Sequence, residues 1–95
     1  MTRHTYAALW AEDGRQPLVG SLTVGMQSLS FEGRGVHEDV DYDEIDSFTV
    51  DRSRSGRIGG RTSLVLALAG RQVRLAIAEP GALHELAEKL TVVTA

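Results

Sequence analysis

Seven of the thirteen acidic residues, Glu38, Asp39, Asp41, Asp43, Glu44, Asp46 and Asp51, fall within fourteen consecutive positions. Four arginines, Arg52, Arg54, Arg57 and Arg61, fall within the next ten. Alternate carboxylates are what a calcium loop uses, and clustered arginines are what a phosphate or carboxylate site uses. Asp39, Asp41 and Asp43 stand at the first, third and fifth positions of such a calcium loop. That loop needs glycine at its sixth position for the sharp turn and a bidentate glutamate at its twelfth. Here those positions hold Glu44 and Val50, and the flanks read as strands, so no metal site is expected. The acids read instead as the solvated face and leading turn of a strand, keeping a sheet edge soluble.

The basic half invites a different comparison. Ser55, Gly60, Arg61 and Thr62 sit at the spacing of a nucleotide-binding P-loop, with serine for its first glycine and arginine for its lysine. A P-loop works because a helix N-terminus aims backbone N–H groups at the phosphates. After Thr62 the chain reads as an apolar strand, Leu64 to Leu68, so that helix is missing and nucleotide hydrolysis is not expected. What survives is an arginine-rich, glycine-containing loop. Arg52, Arg54, Arg57 and Arg61 are the candidate anion-binding residues, able to hold a phosphate or carboxylate bidentately.

Catalytic and cofactor signals are weaker still. Gly33 and Gly35 lack the third glycine and following helix of a dinucleotide fingerprint, and read as a turn. His4, His37 and His84 form no zinc-binding spacing, and no G-x-S-x-G elbow frames a serine nucleophile. No catalytic residue and no cofactor is assigned, and a non-enzymatic role is expected. The chain has no cysteine, which removes disulfides and thiolate chemistry. A net charge of −3 argues against nucleic acid as a partner. No apolar run approaches the roughly 20 residues of a membrane-spanning helix, and Met1 to Tyr6 lack a signal-peptide core, so a cytoplasmic protein is expected.

The elements that position these residues follow from apolar periodicity. Ninety-five residues, 42% of them hydrophobic, make a single domain over 1–95. Period-two alternation predicts seven strands between about 5 and 78: around Tyr6–Trp10, Leu18–Val24, Leu29–Phe31, Val36–Val40, Ile45–Val50, Leu64–Leu68 and Val73–Ile77. From Pro80, a favoured first helical residue, Leu83, Leu86, Ala87 and Leu90 repeat at helical spacing. This predicts one amphipathic helix over about 80–91, lying on the sheet. The period-two placement of Tyr6, Trp10, Phe31 and Phe48 reads as core packing, with a half-exposed contact residue as the alternative for Trp10 at its strand end.

Seven strands and one terminal helix, with Gly20-x-Leu22-x-Val24, Leu29-x-Phe31 and Tyr42-x-x-Ile45 leading to Phe48-x-Val50, resemble the small bacterial pleckstrin-homology-like and GRAM-like domains. The resemblance spans nearly the whole chain. It implies a mainly β fold: a seven-stranded antiparallel, partly open PH-like barrel capped by one C-terminal amphipathic helix. The family's lipid site resembles nothing here, because Ala11 to Gly20 carries only Arg15 beside Glu12 and Asp13, and residues 80–91 lack the helix tryptophan of eukaryotic members. What is implied is therefore fold and a tendency to self-associate. The expected function is binding of a protein partner or of further copies, with Trp10, Asp41, Asp43 and Glu44 as interface candidates. The alternative is association with an anionic lipid surface through the 52–61 arginines.

Overall fold

The computed structural model describes residues 4–12, 15–79 and 81–93, His4 by its backbone alone. Seven strands, β1 (His4–Glu12), β2 (Leu18–Val24), β3 (Ser28–Gly33), β4 (Val36–Asp41), β5 (Ile45–Asp51), β6 (Ser63–Leu68) and β7 (Arg71–Ile77), precede one helix, α1 (Ala82–Val93). The strands form a single antiparallel sheet in the order β4-β3-β2-β1-β7-β6-β5. β1 is the pivot: residues 4–10 pair with β2 and residues 8–12 pair with β7. The sheet curls around this shared strand into a half-barrel, leaving β4 and β5 as its two edges, joined by a single 3₁₀ turn at Tyr42–Glu44. The expected mainly β, partly open, helix-capped architecture is the one observed.

Alternation explains what lies inside. Tyr6, Ala8 and Trp10 of β1 share the concave face with Leu22, Val24, Leu29, Phe31 and Val40, and Leu64, Leu66, Val73 and Leu75 continue it. Of the two readings of Trp10, core packing is the one observed and half-exposure is wrong. Its side chain is only 2% exposed and stacks on Phe31 at 5.2 Å between ring centroids. The strand runs two residues beyond it, which carries the indole into the barrel instead of leaving it at a rim. Its Nε1–H meets no acceptor among the described residues, so its burial rests on ring packing.

β2 and β3 approach closely where Gly20 faces Gly33. A Cβ on Gly20 would lie 2.2 Å from the Glu32 carbonyl oxygen and 2.8 Å from the Gly33 Cα. Two missing side chains let the sheet bend at this corner. The edges are blunted as soluble sheets require: β5 carries an extra residue between Ile45 and Ser47, and β4 carries exposed charge. At the end of β1 furthest from Tyr6, Arg71 Nη1 reaches Glu12 Oε2 at 3.1 Å and Glu38 Oε1 at 3.5 Å, tying β7 to β1 and to edge strand β4.

α1 begins two residues later than Pro80, which lies outside the described residues, and ends two residues beyond 91. Ala82, Leu86 and Leu90 are buried against the sheet, while His84–Glu88 and Glu85–Lys89 pair across one turn on the outer side. Tyr6 donates a 2.8 Å hydrogen bond to Glu85 Oε1, fastening helix to β1. Burial, then this hydrogen bond to a carboxylate, pushes the Tyr6 hydroxyl up to about 12. The unfolded phenol ionises near 10 and the folded one near 12. The Tyr6 contribution to stability is therefore complete below pH 10 and lost as pH rises through 12. Tyr6→Phe should flatten that alkaline limb in urea unfolding followed against pH; an unchanged limb would remove Tyr6 as its source.

Candidate functional site

The convex face of the sheet is apolar where it ought to be solvated. Ala11 and Ala76 point outward from β1 and β7, yet both are buried, and Ser63 on the same face of β6 is fully buried. The cover is the 52–61 loop. It folds back as a small hairpin whose tip, Gly59–Gly60, is closed by paired backbone bonds between Ile58 and Arg61 of 3.0 and 3.1 Å. Both tip residues take positive φ, a conformation open to glycine at little cost. The P-loop-like stretch is thus a β-turn followed directly by β6, with no helix terminus to face a phosphate.

One side chain pins this loop. Arg74, outward on β7 and 28% exposed, sends Nη1 to Asp51 Oδ2 at 2.8 Å, to the Gly56 carbonyl at 2.9 Å and to Ser63 Oγ at 2.7 Å. Ser63 Oγ in turn donates to the Gly56 carbonyl at 2.6 Å. Asp51 accepts from Ser53 twice, from its N–H at 2.9 Å and its hydroxyl at 2.6 Å, forming a tight turn just past β5. Gly56 must be glycine here, since an added Cβ would sit 2.1 Å from Asp51 Oδ2.

The hydrogen bond from the Ser53 hydroxyl, then the one from Arg74, lowers Asp51 from its ordinary 3.8 to about 2. A depressed carboxylate stabilises the fold above its unfolded pKa. This contribution is therefore whole above pH 4 and lost as pH falls through 2. Ser53→Ala should move the acid-unfolding limb upward in pH, read by the carboxyl carbon shift of Asp51. A titration identical to the parent chain would contradict that hydrogen bond.

Between the pinned loop, the β1–β2 connection and β7 lies a cleft of about 350 Å³. Arg15 of the β1–β2 connection, Arg57 of the loop and Arg74 of β7 line it, with Ser55 and Gln72. Its volume is at the small end of ligand pockets, suited to a phosphate or carboxylate group and little more. Among the described residues, none lining it is a carboxylate or an imidazole. Among the described residues, the guanidinium groups of Arg15 and Arg57 meet no hydrogen-bond acceptor or carboxylate.

The four arginines expected from the sequence do not share one cleft. Only Arg57 lines the cleft; Arg61 donates to the Ala78 carbonyl at 2.8 Å, bracing the loop against the end of β7. Arg52 and Arg54 are exposed outside it. Arg15 and Arg74 are the members that sequence reading missed. Two signals pointed to Arg74: it alternates with Val73 and Leu75, so it faces outward, and small Ala11 and Ala76 flank it on that face.

The acidic candidates are dispersed too. Asp39 accepts from Ser30 Oγ at 2.5 Å and pairs with His37 at 3.0 Å across the outer face of β4. Asp41 and Glu44 close the 3₁₀ turn, the Asp41 N–H donating to Glu44 Oε1 at 3.1 Å. Asp43 and Asp46 remain exposed. Among the described residues, no three metal-ligating side chains converge. Nor is any helix there long and apolar enough to cross a membrane.

No protein-family model matches this chain, and no curated protein does. Among solved structures it is similar to the C-terminal domain of an unknown protein from Leishmania infantum, with a TM-score of 0.71 and 13% sequence identity. That match covers 92% of this chain and 80% of the other. At such identity the likeness is one of fold: a curled seven-stranded sheet closed by a C-terminal helix.

Proposed function

We infer that this chain is a non-enzymatic, PH-like binding module that captures an anionic group, a phosphate or carboxylate carried by a partner, in the cleft of Arg15, Arg57 and Arg74. The observation that carries this reading is that three arginines, Arg15, Arg57 and Arg74, line one small cleft of a protein whose net charge is −3. Arg74 is preorganised by Asp51, Ser63 and Gly56, so little ordering is required when a ligand arrives. Arg15 and Arg57 supply the unspent donors. The described residues of its walls include no carboxylate or imidazole, which favours binding over acid–base catalysis.

The test is titration with inorganic phosphate, an acidic peptide and anionic vesicles at low and physiological salt. Each arginine against an anion contributes on the order of 1 kcal/mol, so Arg15→Ser with Arg57→Ser should weaken binding roughly tenfold to thirtyfold. Arg52→Ser with Arg54→Ser should change it far less. Equal losses from both pairs would reduce the cleft to a diffuse basic patch and overturn the reading.

A second reading, head-to-tail pairing of copies, rests on the edge strand. Exposed Asp43 just before β5 and Asp46 at its start lie about 20 Å or more, at roughly 3.3 Å per residue of strand, from Arg52 and Arg54 past its end. That distance exceeds the screening length of about 8 Å at physiological salt, so the two poles of one copy do not neutralise each other. Sedimentation should then show salt-sensitive dimers that Asp43→Asn with Asp46→Asn dissolves. A concentration-independent monomer at low salt would dismiss this pairing.

A further inference from the structure

We propose that Ser55 is a phosphorylation site whose phosphoryl group occupies the Arg15–Arg57–Arg74 cleft of the same molecule and shuts it to outside anions. This rests on the anion-binding reading of the cleft and adds its regulation. Ser55 is exposed and itself lines the cleft. Its position is set by the next residue: the Gly56 N–H donates to Ser53 Oγ at 3.2 Å, and the Gly56 carbonyl is held by Arg74 and Ser63. A group attached to Ser55 Oγ is therefore tethered one residue from Gly56, whose carbonyl Arg74 holds.

The neighbouring Ser53 makes the contrast that selects Ser55. The Ser53 hydroxyl donates to Asp51 Oδ1 at 2.6 Å, so a phosphate there would face a carboxylate and break the turn. The Ser55 hydroxyl has only a 3.4 Å contact with Ser53 Oγ. Arg52, Arg54 and Arg57 flank it at three and one residues before and two after, and are exposed. They are the basic handle that an acidic kinase groove grips. In the reaction, a kinase transfers the terminal phosphoryl group of a nucleoside triphosphate. The bond to Ser55 Oγ forms as the bond to the departing nucleoside diphosphate breaks, and the hydroxyl proton passes to the kinase base. The product carries close to two negative charges and three acceptor oxygens, the complement of three guanidinium groups. Being tethered, it competes at millimolar-range effective concentration and displaces a dilute external anion.

The test is the full chain carrying phosphoserine at position 55, followed by ³¹P NMR across pH. Engagement of the cleft should lower the second phosphate pKa from about 6 by roughly one unit, and Arg57→Ser should restore it. A ³¹P titration the same as that of the urea-unfolded phosphoprotein would overturn the proposal. Inorganic phosphate should bind the unmodified chain and bind the phosphorylated chain at least tenfold more weakly. Binding in the unmodified chain with a normal ³¹P pKa in the phosphorylated one sinks this proposal alone. A shifted ³¹P pKa with no phosphate binding by the unmodified chain sinks the external-ligand reading and keeps the phosphosite. Treatment with a basophilic kinase and nucleoside triphosphate should label Ser55, and labelling at Ser53 instead would overturn the assignment.

Discussion

Arg74→Met is expected to cost about 2–3 kcal/mol of folding free energy, a fall in Tm of roughly 10–20 °C for a chain of this size. The figure follows from what the substitution leaves behind. Arg74 Nη1 serves Asp51, the Gly56 carbonyl and fully buried Ser63 at once. Methionine fills the volume but leaves these acceptors to water or to nothing, and a stranded buried acceptor costs more than a typical hydrogen bond contributes. The loss stays below that of a fully buried ion pair because Arg74 and Asp51 are 28% and 27% exposed. Asp51 keeps both bonds from Ser53, so the turn after β5 persists while the hairpin beyond it lifts. Ala11 and Ala76 then lose their cover.

Two readouts separate this outcome from general unfolding. Trp10 lies on the opposite face of β1, stacked on Phe31, so its native fluorescence below Tm should not change. Amide exchange at Gly56 and Ile58 should accelerate by orders of magnitude, since their N–H groups are held only by bonds within the loop. Anion binding should fall below detection because the cleft wall is gone. Arg74→Lys keeps the charge but loses the planar fork and some reach, and should recover only part of the loss. A Tm within a couple of degrees of the parent would show that the hairpin is held by something other than Arg74.

Sheet and helix were legible because burial on one face imposes a period that the sequence cannot hide. Leu64, Leu66 and Leu68 alternate with outward residues, and Leu86 and Leu90 repeat at helical spacing. Trp10 left two readings open because its place at a strand end depended on where β1 stopped, and Glu12, bound to Arg71, extends the strand past it. The cleft was less legible for a different reason. Arg15, Arg57 and Arg74 come from two connections and a strand far apart in the chain, and no local pattern encodes their meeting. The dense run of Arg52, Arg54, Arg57 and Arg61 drew attention to the right loop and to one right residue. Its other members are exposed or brace the backbone. What anchors the loop was written in less conspicuous letters: an aspartate two residues before a serine, and alanines on an outward face.

Gly20→Ala should cost about 3 kcal/mol, a Tm lower by roughly 15–20 °C, through a mechanism unrelated to the cleft. The new Cβ would meet the Glu32 carbonyl at 2.2 Å and the Gly33 Cα at 2.8 Å, both backbone atoms in a paired strand, so no side chain can swing aside. β2 and β3 must separate, breaking their ladder near Ser21 and Glu32 and disturbing the seat of Phe31. Gly33→Ala produces the same conflict from the other side, against the Val19 carbonyl at 2.4 Å. Because either substitution forces the strands apart, the double variant should cost clearly less than the sum of the two. Additive costs would mean that the two glycines relax independently and that the close approach is not what binds them together. Below its lowered Tm, Gly20→Ala should retain the anion affinity of the parent chain, since neither β2 nor β3 lines the cleft. Arg74→Met loses that affinity. A pair of variants with similar stability loss and opposite binding outcomes assigns the binding to the convex face of β7 and not to the integrity of the barrel.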